Sequence, residues 1–143
     1  MASQLDLDQG GTFRQYQRVW MGPSVGWLNY PFTAILEIKA SGTYTINLGT
    51  TLIKLLAGIT GNVTINLPSS KATPKTPQAI PGQWIIAPIT IVDVGGLAST
   101  YTFQINPNGA ELISGLADVD LASAYGTIVL EPLLPTGGWN LLQ

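Results

Sequence analysis

The stretch ITIVDVGGLASTYTFQINPNG, Ile89 to Gly109, decides the fold. It holds two alternating apolar runs, an aspartate and two glycines between them, and a Pro-Asn-Gly turn at its end. Asp93-Val94-Gly95-Gly96 admits two readings. Glycines after a strand let a backbone approach a phosphate, provided that a helix N-terminus or a lysine meets the charge. Here the next segment, Tyr101 to Asn106, alternates as a strand, and no Lys or Arg follows Lys75. The tetrapeptide therefore reads as the bend between two strands. Asp93 is expected to brace the bend through local backbone hydrogen bonds, with Gly95 and Gly96 supplying backbone freedom. Ile89 and Ile91 face one side of the first strand and Thr90 and Val92 the other, so both faces are expected to be covered, one by an opposite sheet and one by a neighbouring subunit. In Asn106-Pro107-Asn108-Gly109, Pro107 presets φ and Asn108 or Gly109 accepts a positive φ, which makes a turn.

Outward from this stretch the period stays at two. Thr43 to Leu48 and Asn62 to Leu67 alternate with residues that suit strands and share a T-I-N-L core, a pseudo-repeat of two copies. Leu52 to Ala57 fits a buried strand or a short helix. Ser69 to Gly82 contains Pro74, Pro77 and Pro81, which favours an extended surface loop and excludes a central strand. Further strands are predicted at 84–94, 101–106, 111–113, 119–121, 127–131 and 139–142. Short strands with turn signals at roughly ten-residue spacing predict an all-β domain over 34–143, a β-sandwich or jelly roll. The preceding segment, 1–33, begins polar and becomes dense in aromatics and arginines from Phe13 to Phe32. Gly22-Pro23 and Gly26 break it, so it reads as an extended arm and not as one helix.

Only 10% of the 143 residues are charged, against about 25% in ordinary soluble domains, and the mean hydropathy is +0.28. A membrane span needs roughly 18 consecutive apolar residues; the best run, Leu52 to Ile59, is short and carries Lys54. The acidic opening Met-Ala-Ser-Gln-Leu-Asp-Leu-Asp lacks the apolar core of a secretory signal, so synthesis in a cytoplasm is expected. The apolar surplus then points to subunit contacts, because obligate interfaces resemble a domain core cut in half. Cysteine and histidine are both missing, which removes disulfides, thiolate chemistry, Cys/His zinc sites and histidine triads. All six basic residues lie in the first 75 positions; less Asp6, Asp8 and Glu37 they leave +3 there, and the five remaining carboxylates make the rest −5. Such asymmetry has two readings, chance in a sequence with so few charges or a molecule whose two ends face different partners.

Few residues are candidates for chemistry. Asp118 and Asp120, at i and i+2, would put two carboxylates on one strand face about 7 Å apart, where they could work as acid and base or hold calcium. Val119 and Leu121 between and beyond them have the apolar pattern of a half-buried strand, so a solvated face is the reading adopted, with no catalytic residue, metal or cofactor assigned. Asn62-Val63-Thr64 matches a glycosylation acceptor, without consequence where no signal peptide is read. Phe13, Arg14, Tyr16, Arg18, Trp20 and Trp27 carry the residue types enriched at protein interface hot spots. The same types bind single-stranded nucleic acid, but a pI near 4.7 argues against an electrostatic footprint for it.

The chain from Asn62 to Leu142 resembles a recurrent module of tailed-bacteriophage virion proteins, found in head-decoration (cement) proteins, head fibres and tail fibres. The resemblance rests on Pro81-Gly82 leading into a strand, then Ile89, Ile91, Asp93, Gly96 and Ala98, then Ile105, Pro107, Gly109, Glu111, Ile113 and Gly115, and finally Tyr125-Gly126, Ile128, Leu130 and Gly138-Trp139. Arg18 to Trp27 resembles, more loosely, the lead-in of some such proteins. The resemblance implies a non-enzymatic, usually trimeric β-structured virion component, assembled in the host cytoplasm, whose partners are its own copies and, for a cement protein, the major capsid protein. The sequence shows no collagen-like, heptad or β-helical shaft, so a compact knob with an arm is expected; the alternative is a short tail-fibre or receptor-binding knob in which Tyr101 or Trp84 stacks on sugars.

Overall fold

The computed structural model describes residues 17–20, 22–23, 27–30, 34–47, 49–72, 75–77 and 84–142. The chain divides into two compact units, 1–32 and 33–143. In the first, β1 (Gln17–Trp20) and β2 (Trp27–Tyr30) pair antiparallel, with Arg18 opposite Asn29 and Trp20 opposite Trp27. Gly22-Pro23 falls between these two strands, while Gly26 and most of the segment expected as an extended arm lie outside the described residues.

The second unit is all-β, with two mixed sheets. After β3 (Ala34–Ile38) comes β4 (Gly42–Thr45), then β5 (Thr50–Leu55) and β6 (Val63–Asn66). A short hairpin of β7 (Lys75–Pro77) and β8 (Trp84–Ile86) leads to β9 (Ile89–Asp93) and β10 (Phe103–Asn106). Last come β11 (Val119–Leu121), β12 (Thr127–Pro132) and β13 (Trp139–Leu141). One sheet has the order β13-β12-β9-β5-β3 and the other β11-β10-β6-β4.

The connectivity departs from that of a jelly roll. β3, β5 and β9 are parallel neighbours in the five-stranded sheet, and β4, β6 and β10 are parallel neighbours in the four-stranded one. The chain thus alternates between sheets and winds three times in the same sense, the course of a short β-helix. β11, β12 and β13 then close it with antiparallel pairs. The sequence contains this winding as a third copy of the repeat: Val63-Thr64-Ile65-Asn66 lies in register with Phe103-Gln104-Ile105-Asn106. The Asn106 side-chain amide donates to the Asn66 side-chain oxygen at 3.2 Å, linking two coils. On the other flank Thr45 faces Asn66, two residues off the T-I-N-L alignment. A two-residue offset keeps every side chain on its original face, so the core pattern survives it.

Alternation accounts for the packing. Ile53, Leu55, Ile89, Ile91, Ile128 and Leu130 point inward from one sheet and meet Val63, Ile65, Phe103, Ile105, Val119 and Leu121 of the other in a single buried cluster. Ladder bonds continue past the strand ends, from Leu56 N to Ile38 O at 2.9 Å and from Gly95 N to Leu55 O at 3.0 Å, so successive corners stack as the strands do. The predicted strand 84–94 breaks at Ala87-Pro88 into β8 and β9, and the predicted surface loop 69–82 holds β7, with Pro77 at a strand end where its missing N–H is tolerated. The helix alternative for Leu52 to Ala57 gives way to β5. Where a strand was predicted at 111–113 there are two isolated bridges, Ile113 to Leu116 and Ile113 to Trp139.

Candidate functional site

Two braced loop clusters and one cleft organise the polar groups of the second unit. The first cluster surrounds Asp93. By alternation this residue shares the inward face of Ile89 and Ile91, next to Leu55 on the adjacent coil, and it is 1% exposed. Its Oδ1 accepts from Leu97 N at 3.0 Å, and its Oδ2 accepts from Ala98 N at 2.8 Å and Tyr125 N at 3.1 Å. One carboxylate therefore ties the corner after β9 to the corner before β12. A carboxylate holding three backbone donors is a structural anion, since no acceptor site is left facing solvent at that burial.

The glycines beside it have separate roles. Gly95 is not among the glycines with positive φ, yet a Cβ on it would lie 2.6 Å from Ala57 Cα and 2.7 Å from Ala57 N. Its place is dictated by contact with the backbone of the preceding corner. Gly96 has φ +72, and a Cβ there would lie 2.3 Å from the Tyr125 ring. Tyr125, itself at φ 59, covers Gly96 and is 71% exposed. At the second turn Gly109 adopts φ +58 with open space around it, and Glu111 N donates to Asn108 O at 3.0 Å. Pro107 is half-buried directly after β10.

The second cluster is one that sequence reading missed. Glu111 accepts three hydrogen bonds: Ser69 Oγ at 3.1 Å, Ser70 N at 3.1 Å and Ser70 Oγ at 3.0 Å. The Ser70 hydroxyl, fully buried, accepts in turn from Gly138 N at 2.7 Å. A 3-10 turn at Ser70–Ala72 is thereby fastened to the loop after β10 and the loop before β13. Partners 41 and 68 positions apart leave no local sequence signal. Beside them lies an open cleft of about 630 Å³ lined by Ser69, Lys71, Asn108, Glu111, Leu112 and Thr136, among others. The Ser70 hydroxyl is engaged as both donor and acceptor, so it presents no nucleophile to this cleft. Replacing Ser70 with alanine removes the hydroxyl's bond to Glu111, leaves the backbone N–H bond to it, and strips Gly138 N–H of its acceptor; urea unfolding should show a loss of about 1–2 kcal/mol, against which Ser69→Ala should lose under about 1 kcal/mol.

The sequence-derived candidates belong to both units of the chain. Phe13, Arg14 and Tyr16 lie outside the described residues. Arg18 and Trp20 are on β1 and Trp27 on β2. Asp118 precedes β11 and Asp120 is on it, both exposed, while Val119 and Leu121 are buried. Among the described residues no group of three acidic side chains could hold a metal ion. Tyr101 is half-buried against the core, the side chain of Trp84 lies outside the described residues, and Tyr125 is exposed. Among the described residues no helix is long and apolar enough to cross a membrane. No protein-family model matches the chain, and no curated protein matches it.

Proposed function

We propose that this protein is a homotrimeric head-decoration (cement) protein of a tailed bacteriophage, which binds the outside of the capsid and stabilises it. The observation that carries the reading is the use made of its internal polar groups: Asp93, Ser70 and Glu111 all tie loops to other loops. Such bracing stiffens a scaffold, and stiffness is what a mechanical clamp on a pressurised shell requires. The ordered motifs of the virion module support the same reading, Ile89 to Gly115 falling on the third coil and its turns and Tyr125 to Trp139 on and beside the closing strands. In this reading Arg14 and Arg18 pair with capsid carboxylates, Trp20 and Trp27 fill capsid pockets, and the β domain bridges neighbouring capsid subunits as a trimer. No cofactor, nucleic acid or membrane takes part.

Purified protein mixed with undecorated phage heads should co-sediment with them and raise their thermal rupture temperature. Heads that neither bind it nor change in rupture temperature would end the proposal.

A second reading, a short tail-fibre or receptor-binding knob, draws support from the β-helical winding, which the sequence alone did not reveal, and from the exposed ring of Tyr125. Antibody labelling of intact virions separates the two: label on heads contradicts the tail reading, and label on tails contradicts the cement reading.

A further inference from the structure

Seven asparagines are present, and only Asn108 is followed by glycine. The other six precede Tyr30, Leu48, Val63, Leu67, Pro107 and Leu141. An asparagine side chain is open to attack by the main-chain nitrogen of the next residue, which closes a cyclic imide, and the step needs a nitrogen that is neither crowded nor held. Val63 N, Leu67 N and Leu141 N are held, by Thr102 O at 3.0 Å, Asn106 O at 2.9 Å and the Ser114 hydroxyl at 2.8 Å. Pro107 has no N–H to lose. The side chains are occupied too: Asn62 Oδ1 accepts from Thr102 N at 2.9 Å, Asn66 and Asn106 bond each other, and Asn140 Nδ2 donates to Glu131 Oε1 at 3.0 Å. The turn at Asn108 and Gly109 has the opposite character. Both residues are exposed, and Gly109, at φ +58, would meet nothing within 4 Å of an added Cβ. No side chain at position 109 shields the nitrogen, and glycine has the backbone freedom that closing the ring demands.

We infer that Asn108 is a site of spontaneous deamidation, with water as the co-reactant and no enzyme. Gly109 N gives up its proton and bonds to Asn108 Cγ; the Cγ–Nδ2 bond breaks, and the side-chain nitrogen takes a proton and leaves as ammonia. Water then opens the imide. Opening at Cγ gives aspartate at position 108. Opening at the main-chain carbonyl carbon gives an isoaspartyl link, in which the chain runs through the former side chain and is longer by a carbon. Nothing is oxidised or reduced on either route. Both products bear on the cluster around Glu111. Asn108 O accepts from Glu111 N at 3.0 Å, and Glu111 in turn holds Ser69 and Ser70. The isoaspartyl link displaces that acceptor, and either product sets a second carboxylate in the cleft lined by Asn108, Glu111 and Lys71, where like charges oppose each other. The fastening of the Ser70 turn therefore loosens as the chain ages, and the urea midpoint of aged protein should fall.

Folded full-length chain held at mildly alkaline pH and body temperature should gain the mass difference between water and ammonia. Tandem mass spectrometry should place the gain at position 108, and isoaspartyl methyltransferase should label the product. Asn108→Gln should abolish the gain. Gly109→Ala should slow it about ten-fold, equivalent to roughly 1.4 kcal/mol in the barrier, because its methyl crowds the attacking nitrogen. The same chain unfolded in guanidinium supplies the reference rate. Folded protein that stays unchanged while the unfolded chain gains mass at position 108 would show that the turn protects its asparagine, and would overturn the assignment. A gain that comes first at Asn47 or Asn140 would overturn it as well. A fully converted protein with an unshifted urea midpoint would overturn the link to Glu111.

Discussion

Asp93→Ala is expected to destabilise the protein by about 3–5 kcal/mol, a large share of the roughly 5–15 kcal/mol that holds a domain of this kind folded. The substitution leaves the N–H groups of Leu97, Ala98 and Tyr125 without their acceptor, in a place where the carboxylate is 1% exposed. Hydrogen bonds to a charged group contribute about 1.5–3 kcal/mol each, and an orphaned buried donor costs about 1–3. The three share one acceptor, so the effects overlap and do not sum. Asp93→Asn refines the test. Its single oxygen can still serve Ala98 and Tyr125, but its amide then points donor to donor at Leu97, so roughly half of the alanine loss should remain. Urea midpoints with an unchanged slope measure both variants. An alanine variant within about 1 kcal/mol of wild type would mean that water replaces the carboxylate, and the brace would lose its place in the fold.

Gly95→Ala should produce a loss of similar size for a different reason. The added methyl would sit 2.6 Å from Ala57 Cα and 2.9 Å from Leu56 C, atoms of main chain that cannot rotate away. Relief requires the corner after β9 to lift from the corner after β5, which breaks the 3.0 Å bond from Gly95 N to Leu55 O and disturbs the Asp93 brace two residues earlier. Overpacking costs typically about 1–3 kcal/mol and occasionally more; with the lost hydrogen bond added, about 3–4 kcal/mol is expected, and Gly95→Val should exceed it. Gly109→Ala provides the contrast. At φ +58 the alanine is strained, but nothing lies within 4 Å of its Cβ, so about 1 kcal/mol should be lost. Thermal and urea unfolding of the pair would rank them; equal losses at the two positions would show that close backbone approach is not what requires glycine at 95.

The two expectations share a lesson about the opening stretch. That Asp93 points inward was legible, because it lies two and four residues from Ile91 and Ile89 on an alternating strand. That it braces a bend was also legible, from the behaviour of short acidic side chains next to turns. The reach of the brace was not: Tyr125 is 32 positions away and comes close only because β12 returns beside β9. Nor was the reason for Gly95 legible, since a glycine pair after a strand suggests backbone freedom, and only the stacking of corners reveals a shortage of space. The Ser70–Glu111–Gly138 cluster had no counterpart in the sequence reading for the same cause: its members belong to loops that meet only in three dimensions.

The alternation of inward and outward residues along β4, β6, β9, β10, β11 and β12 and the turns after β9 and β10 follow from the sequence by itself, because a period of two is a local property fixed by backbone geometry. Low charge and the lack of cysteine and histidine bounded the chemistry by the same direct route. Whether those strands paired antiparallel as a jelly roll or wound in parallel coils was decided only in the tertiary structure. Alternation is identical in the two cases, and what separates them is which distant strand supplies each backbone hydrogen bond. Val63 to Asn66 between Gly42 to Thr45 on one side and Phe103 to Asn106 on the other settles that choice here.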